Sequence, residues 1–281
     1  LAGFLIAVPV SSAIGSPISG LILAAMDGVG GISGWRWLFL MEALPSIILG
    51  FVCFFYLPDG PESAAWLTHG EKAALRDALE KEAGRDHGDH WRALTDRRVL
   101  ILGVAYFGIV IALYGLSFWL PQIIKSFGFG VVATSLLASI PYVCSAFAMW
   151  AWSRSSDRRG ETVGHTALAG IVGAVGLACA AYAPTPSLSM IALSVAAIGA
   201  IAALPTFWSF ATLALGSGDG VVGVAVINSI GNVSGFAGPY LVGVIKGATG
   251  EFSDALLALS LGPLVTALLI RRIAAVRSPR A

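Results

Sequence analysis

Apolar stretches of about 20 residues recur eight times along this chain, and a helix needs that length to cross a hydrocarbon core at 1.5 Å per residue. A soluble domain can bury one large core, but it has no place for so many uninterrupted apolar segments. Charged residues make up 12 % of the 281, about half of what a water-facing surface requires. The mean hydropathy of +0.83 points the same way. An all-α membrane protein follows, because only structures that satisfy every backbone polar group internally can sit in lipid.

The pattern predicts spans at about 1–25, 36–57, 98–119, 130–152, 164–183, 187–210, 221–245 and 254–270. Gly15, Pro17, Gly20, Pro45, Pro141, Pro205 and Pro239 fall inside them. Such residues would damage soluble helices, but neighbouring membrane helices re-satisfy the freed backbone groups and small residues permit close approach. Most links are short. The long polar exception, 58–97, carries both signs of charge and reads as a central cytoplasmic loop between residues 1–57 and 98–281.

Lysine and arginine give the orientation. With the long loop in the cytoplasm, fourteen of the 17 basic residues fall on that side, and only Arg36, Lys125 and Lys246 fall opposite. Eight spans then put both chain ends in the cytoplasm, where the basic tail of Arg271, Arg272, Arg277 and Arg280 belongs. A multi-pass location in the cell inner (plasma) membrane is the expectation.

Two helices, a charged loop and six helices match the later part of a transporter built from two six-helix halves. On that template the chain holds helices 5–12 of twelve, and its start at Leu1 inside an apolar run suits a truncated record. A transport-incompetent remnant is the alternative.

Local motifs carry a family resemblance. Gly15, Pro17 and Gly20 resemble a Gly-Pro-x-x-Gly pattern of a fifth helix, and Gly34-Trp35-Arg36-Trp37 resembles the start of a sixth. The link from Ser153 through Asp157, Arg158, Arg159 and Gly160 is similar to a repeated loop motif, lacking its first glycine. Together these resemble the major facilitator superfamily. Leu57 to Leu67, Phe118 to Gln122, Pro205 to Trp208 and Ile227 to Pro239 are similar to its anion:cation symporter branch, which includes tartrate, phthalate and hexuronate permeases. The resemblance implies proton-coupled uptake of a small organic anion such as a tartrate-like or sugar acid, with proton and bilayer as partners. It also implies that the charged binding residues lie on helices one and four, outside this chain.

Polar residues inside a membrane are costly and mark transport routes by default. Asn228 and Asn232 lie four apart, on one helix face. Their amides can donate and accept to a hydroxylated carboxylate, or hold neighbouring helices together. The resemblance implies substrate contact for Asn228. Trp208, Tyr114 and Tyr142 are further binding candidates, each with core packing as the plain alternative. Asp157, Arg158 and Arg159 are expected to form a gating loop, or simply a solvated basic link. Glu42 could pair with Arg36, cap a helix or take part in proton coupling.

No cofactor, metal or nucleic-acid partner is indicated. His87 and His90 are spaced like ligands but have no cysteine nearby. Cys53, Cys144 and Cys179 are scattered through apolar segments, and no nucleophile–base grouping suggests an enzyme.

Overall fold

The computed structural model describes residues 2–83, 94–215 and 220–277; His87 and His90 lie outside them. Helix α1 (Ala2–Leu5) and α2 (Ala7–Ala25) form the first span, interrupted only at Ile6, and α3 (Gly34–Tyr56) the second. The connection then holds a surface helix, α4 (His69–Ala83). Six long helices follow: α5 (Arg97–Ser126), α6 (Val131–Arg159), α7 (Val163–Ala181), α8 (Pro186–Leu215), α9 (Gly220–Thr249) and α10 (Ser253–Arg277). Eight helices among the described residues are long and apolar enough to cross a membrane.

Several helices overrun the sequence-predicted spans. Helix α5 passes through Pro121 to Ser126, α6 runs on to Arg159 and α10 to Arg277. Hydropathy registers only the hydrocarbon layer, whereas backbone hydrogen bonding continues through the headgroup layer. A 30-residue helix such as α5 is about 45 Å long, enough to cross both. The surface helix α4 is a further difference, since its polar sequence reads as loop. Thr68 and Glu71 cap it reciprocally: the Thr68 N–H and hydroxyl both donate to Glu71 Oε2, at 2.9 and 2.8 Å. Arg76 pairs with Glu62, and Lys72 Nζ donates to the Glu62 carbonyl at 2.7 Å, tying α4 back to the preceding turn.

Small residues decide the packing of the six-helix unit. The most extensive pairings are α7 with α8, α5 with α9 and α7 with α10. A methyl group on Gly199 of α8 would sit 2.1 Å from the backbone nitrogen of Gly173 on α7, so only glycine allows this approach. Thr266 of α10 donates to the Ala105 carbonyl of α5 at 2.6 Å, a buried bond between two helices. Ser145 donates to the Pro141 carbonyl at 2.6 Å, giving its buried hydroxyl a partner beside the proline.

Helix α2 lies antiparallel on α6, where the Ser16 hydroxyl donates to the Ser135 carbonyl at 2.9 Å and Gly20 meets the Ser135 side chain. Helix α3 touches chiefly α2. Of its residues only Gly34 is buried, and Phe54 and Phe55 are each 81 % exposed.

Glu42 does not pair with Arg36. The two are six residues apart and point to different sides of α3. Arg36 lies over the Trp35 ring at 5.2 Å, and Glu42 Oε1 accepts from Ser19 of α2 at 2.5 Å.

Candidate substrate site

Helices α5, α8 and α9 bring most of the sequence-predicted polar and aromatic residues into one region. On α9 the exposed positions Val221, Ala225, Asn228, Asn232, Phe236 and Tyr240 recur at helical spacing and form a single stripe. Asn232 Nδ2 donates to Asn228 Oδ1 and to the Asn228 carbonyl, both at 2.9 Å. The two amides therefore bond within their own helix rather than across to a neighbour. Both N–H groups of Asn232 are thereby used, whereas the Asn228 NH₂ group and the Asn232 side-chain carbonyl have no hydrogen-bond partner among the described residues, and both side chains are exposed. That face can both donate to a carboxylate and accept from a hydroxyl.

The flank of α9 next to this stripe receives aromatics from α5. Gly231 faces Tyr106 so closely that a methyl group there would lie 2.0 Å from the ring, and Gly235 faces Tyr114 at van der Waals distance. The Tyr106 ring stacks on Phe207, with centroids 5.2 Å apart, and meets the Trp208 ring edge-on at 4.8 Å. Phe207 is fully buried, while Trp208 and Tyr114 are half-buried. Trp208 is thus held by Tyr106 and Phe207, packed against the core with part of its indole open.

Tyr142 is placed differently. It is buried between α6 and α5, with its hydroxyl beside Ser117. Trp119, at the far end of α5, donates from Nε1 to the Pro239 carbonyl at 3.1 Å and packs against Phe252 and Lys246.

Asp157, Arg158 and Arg159 do not form a loop. They are the last turn of α6, which ends at Gly160 in a left-handed conformation (φ +60°). The Gly160 N–H closes that turn on Asp157 and Ser156 carbonyls. The true link is Gly160 to Thr162. Within it Glu161 accepts from the Gly164 N–H, from the His165 N–H at 3.1 Å and from His165 Nδ1 at 2.8 Å. Partial burial opposes ionisation of this carboxyl, but the hydrogen bonds outweigh it and hold its pKa below the ordinary value. His165 Nε2 reaches Ser155 at 3.2 Å, and Trp152 Nε1 donates to the His165 carbonyl at 3.1 Å. A polar clasp therefore joins the end of α6 to the start of α7.

Sequence reasoning missed Tyr106, Phe207 and this clasp. Gly231 and Gly235, four apart, form the small-xxx-small pattern that marks a close helix contact, and that signal could have led to the aromatics opposite. The Glu161–His165 spacing of four was equally readable. No group of three metal-ligating side chains stands together among the described residues.

Eight apolar spans, six of them packed as one unit, define an all-helical multi-pass membrane protein. The chain belongs to the Major Facilitator Superfamily, whose family model matches residues 1–239. It is 41 % identical over 281 residues to a protein of Agrobacterium vitis named "Putative tartrate transporter", covering 99 % of this chain and 62 % of that one. The inner membrane transport protein RhmT of Escherichia coli (strain K12) is 35 % identical, covering 95 % of this chain and 62 % of that protein. A quinolone resistance transporter of Acinetobacter baumannii is 34 % identical, covering 92 % and 60 % respectively. The chain thus spans about three-fifths of the length of these relatives. They are transporters, not enzymes.

Proposed function

We propose that this chain forms the larger part of a proton-coupled importer of a small organic anion, a tartrate-like or sugar acid. The observation that carries the reading is the pair of exposed amides of Asn228 and Asn232 on α9, with the half-open Trp208 ring of α8 linked to the same helix through Tyr106 and Gly231. Amides match the hydroxyl and carboxylate groups of such a substrate, and an aromatic wall packs against its carbon skeleton. Tyr114 contributes at the edge of the same region, and Tyr142 supports it from within the helix pair α5–α6. The names of the Agrobacterium vitis relatives support the substrate class. The amide face supplies neutral contacts, and the anion's charge is met by groups on the opposing half.

Glu42 supports proton coupling. It is the ninth residue of α3, about 12 Å along the helix, and so lies deeper in a span than any other carboxylate among the described residues. A titratable group at such depth is a functional candidate, with Ser19 as its partner. Asp157, Arg158 and Arg159, at the end of α6, serve gating as the two halves rock. The excess of basic residues at that end supports a cytoplasmic orientation in the inner membrane.

The test is uptake of radiolabelled tartrate and of hexuronates by cells expressing the gene from its own locus. Asn228→Ala removes about one hydrogen bond and raises the half-saturation concentration roughly three- to tenfold, with membrane abundance unchanged. Unaltered uptake kinetics would remove Asn228 from the site.

A further inference from the structure

Helix α6 carries a second feature, distant from the amide face. At its basic end Trp150, Ala151, Arg154, Ser155, Arg158 and Arg159 line a cavity of about 400 Å³. Three of the six lining residues are arginines, and the Arg154 guanidinium lies 5.7 Å from the Trp150 ring centre. None of the three has a carboxylate partner: the ion pairs among the described residues are Arg76–Glu62 and His165–Glu161. Asp157, within the same stretch of helix, does not line the cavity. The helix C-terminus contributes only about half a negative charge, so the cavity remains strongly positive.

Trp150 also lines a second, neighbouring space. This groove of about 520 Å³ runs between α2 and α6 past Ile6, Val10, Ile14, Val143 and Phe147, and all its lining side chains are apolar. Phe147 is 73 % exposed and Trp150 58 %. A basic face that merely met water would need no apolar groove beside it. A groove that merely faced lipid would need no cluster of arginines at its mouth. One indole forms a wall of both.

We propose that the two spaces together bind an anionic phospholipid, its phosphodiester on Arg154, Arg158 and Arg159 and an acyl chain in the groove between α2 and α6. Guanidinium groups suit phosphate oxygens because they can donate in pairs. Basic pockets between membrane helices recognise anionic headgroups on the same grounds. The groove lies along the contact of α2 with the six-helix unit, so the bound lipid adds to an interface that already includes Ser16, Gly20 and Ser135.

The experiment is native mass spectrometry of the purified protein released from nanodiscs of equimolar phosphatidylglycerol and phosphatidylethanolamine with matched chains. Each basic group near an anionic headgroup favours it by roughly fivefold. The wild type retains phosphatidylglycerol over phosphatidylethanolamine by about tenfold or more, and R154Q/R158Q/R159Q retains the two equally. Ala146→Trp, which fills the groove without touching a charge, loses both lipids. Arg158→Gln alone, on the exposed surface, gives an intermediate preference and keeps the test readable should the triple variant unfold. Equal retention by the wild type overturns the proposal, as does a preference that survives the triple variant. Absence of any retained lipid overturns it too, and means that protein covers the groove. Displacement of the lipid by millimolar glycerol 3-phosphate also overturns it, and makes the cavity a site for a free anion.

Discussion

Helices α3 and α5 are equally apolar to the eye, yet they are used in opposite ways. In α5, Val99, Leu102, Ile109, Leu120 and Ile124 are fully or almost fully buried, and neighbouring helices enclose them. In α3 only Gly34 is buried, and the large side chains from Phe39 to Tyr56 project outward. The difference does not lie in hydrophobicity, because lipid tails are as apolar as leucine and exert no force that would sort the two helices. Helix α5 is enclosed where small residues and buried hydroxyls permit backbones to approach, whereas α3 has little besides α2 to pack on among the described residues. Helix α5 offers Gly103, Gly108 and Gly115 to its neighbours, each within 2.6 Å of a partner atom had it carried a methyl group. Gly50 of α3 has nothing within 4 Å.

The sharpest way to break this comparison is a pair of identical substitutions. Gly199→Ala drives a methyl into the backbone of α7 and costs about 3 kcal/mol. Gly50→Ala meets open space and is neutral or slightly stabilising, by up to ~1 kcal/mol of helix propensity. Unfolding in mixed micelles reads both, and equal effects would mean that the six-helix unit is not held by close glycine contacts. Gly231→Ala comes next. Its methyl meets the edge of the Tyr106 ring, which can tilt, so the cost is nearer ~1–2 kcal/mol. Because Tyr106 touches Trp208, the same change shifts the tryptophan emission and lowers uptake.

The clasp at the α6–α7 link gives a pH-dependent effect of smaller size. The Glu161 pKa is depressed in the folded protein, so its stabilisation is complete above the ordinary carboxylate range. It is lost as pH falls through the depressed folded value. Acid unfolding of the wild type therefore steepens below about pH 4.5, and Glu161→Gln flattens that limb. Solvent screens this half-exposed group, so the change is below ~1 kcal/mol near neutrality. The smallest effect belongs to Ser19→Ala, which removes the tie between α2 and Glu42. Stability changes by less than about 0.5 kcal/mol, whereas the pH profile of uptake moves if Glu42 carries the proton. An unmoved profile would leave the Ser19 contact a packing detail.

The positions of the eight spans were legible in the sequence because bilayer thickness imposes a length on every apolar segment. Their ends were less so. Arg154, Asp157, Arg158 and Arg159 read as a loop because charge leaves the hydrocarbon, yet α6 keeps its hydrogen bonds through all four. The amides of Asn228 and Asn232 were visible as costly residues in a membrane helix, and their shared face followed from spacing alone. That they bond to each other within α9, and not across to another helix, depended on which side of α9 its neighbours occupy.

Residue chemistry and spacing alone determined that this chain is a helical membrane protein, how often it crosses, and which polar residues it carries in its spans. All three follow from local rules: backbone groups must be satisfied in lipid, and ionisable groups resist it. Only the tertiary structure decided that Tyr106, eight residues from the recognised Tyr114, is the aromatic that holds Trp208. It also decided that α5 is enclosed by its neighbours, and that Trp150 walls both a basic cavity and an apolar groove. Such pairings join residues tens of positions apart or more, and in lipid they are selected by shape at close approach rather than by hydrophobicity. A linear pattern records hydrophobicity and does not record shape.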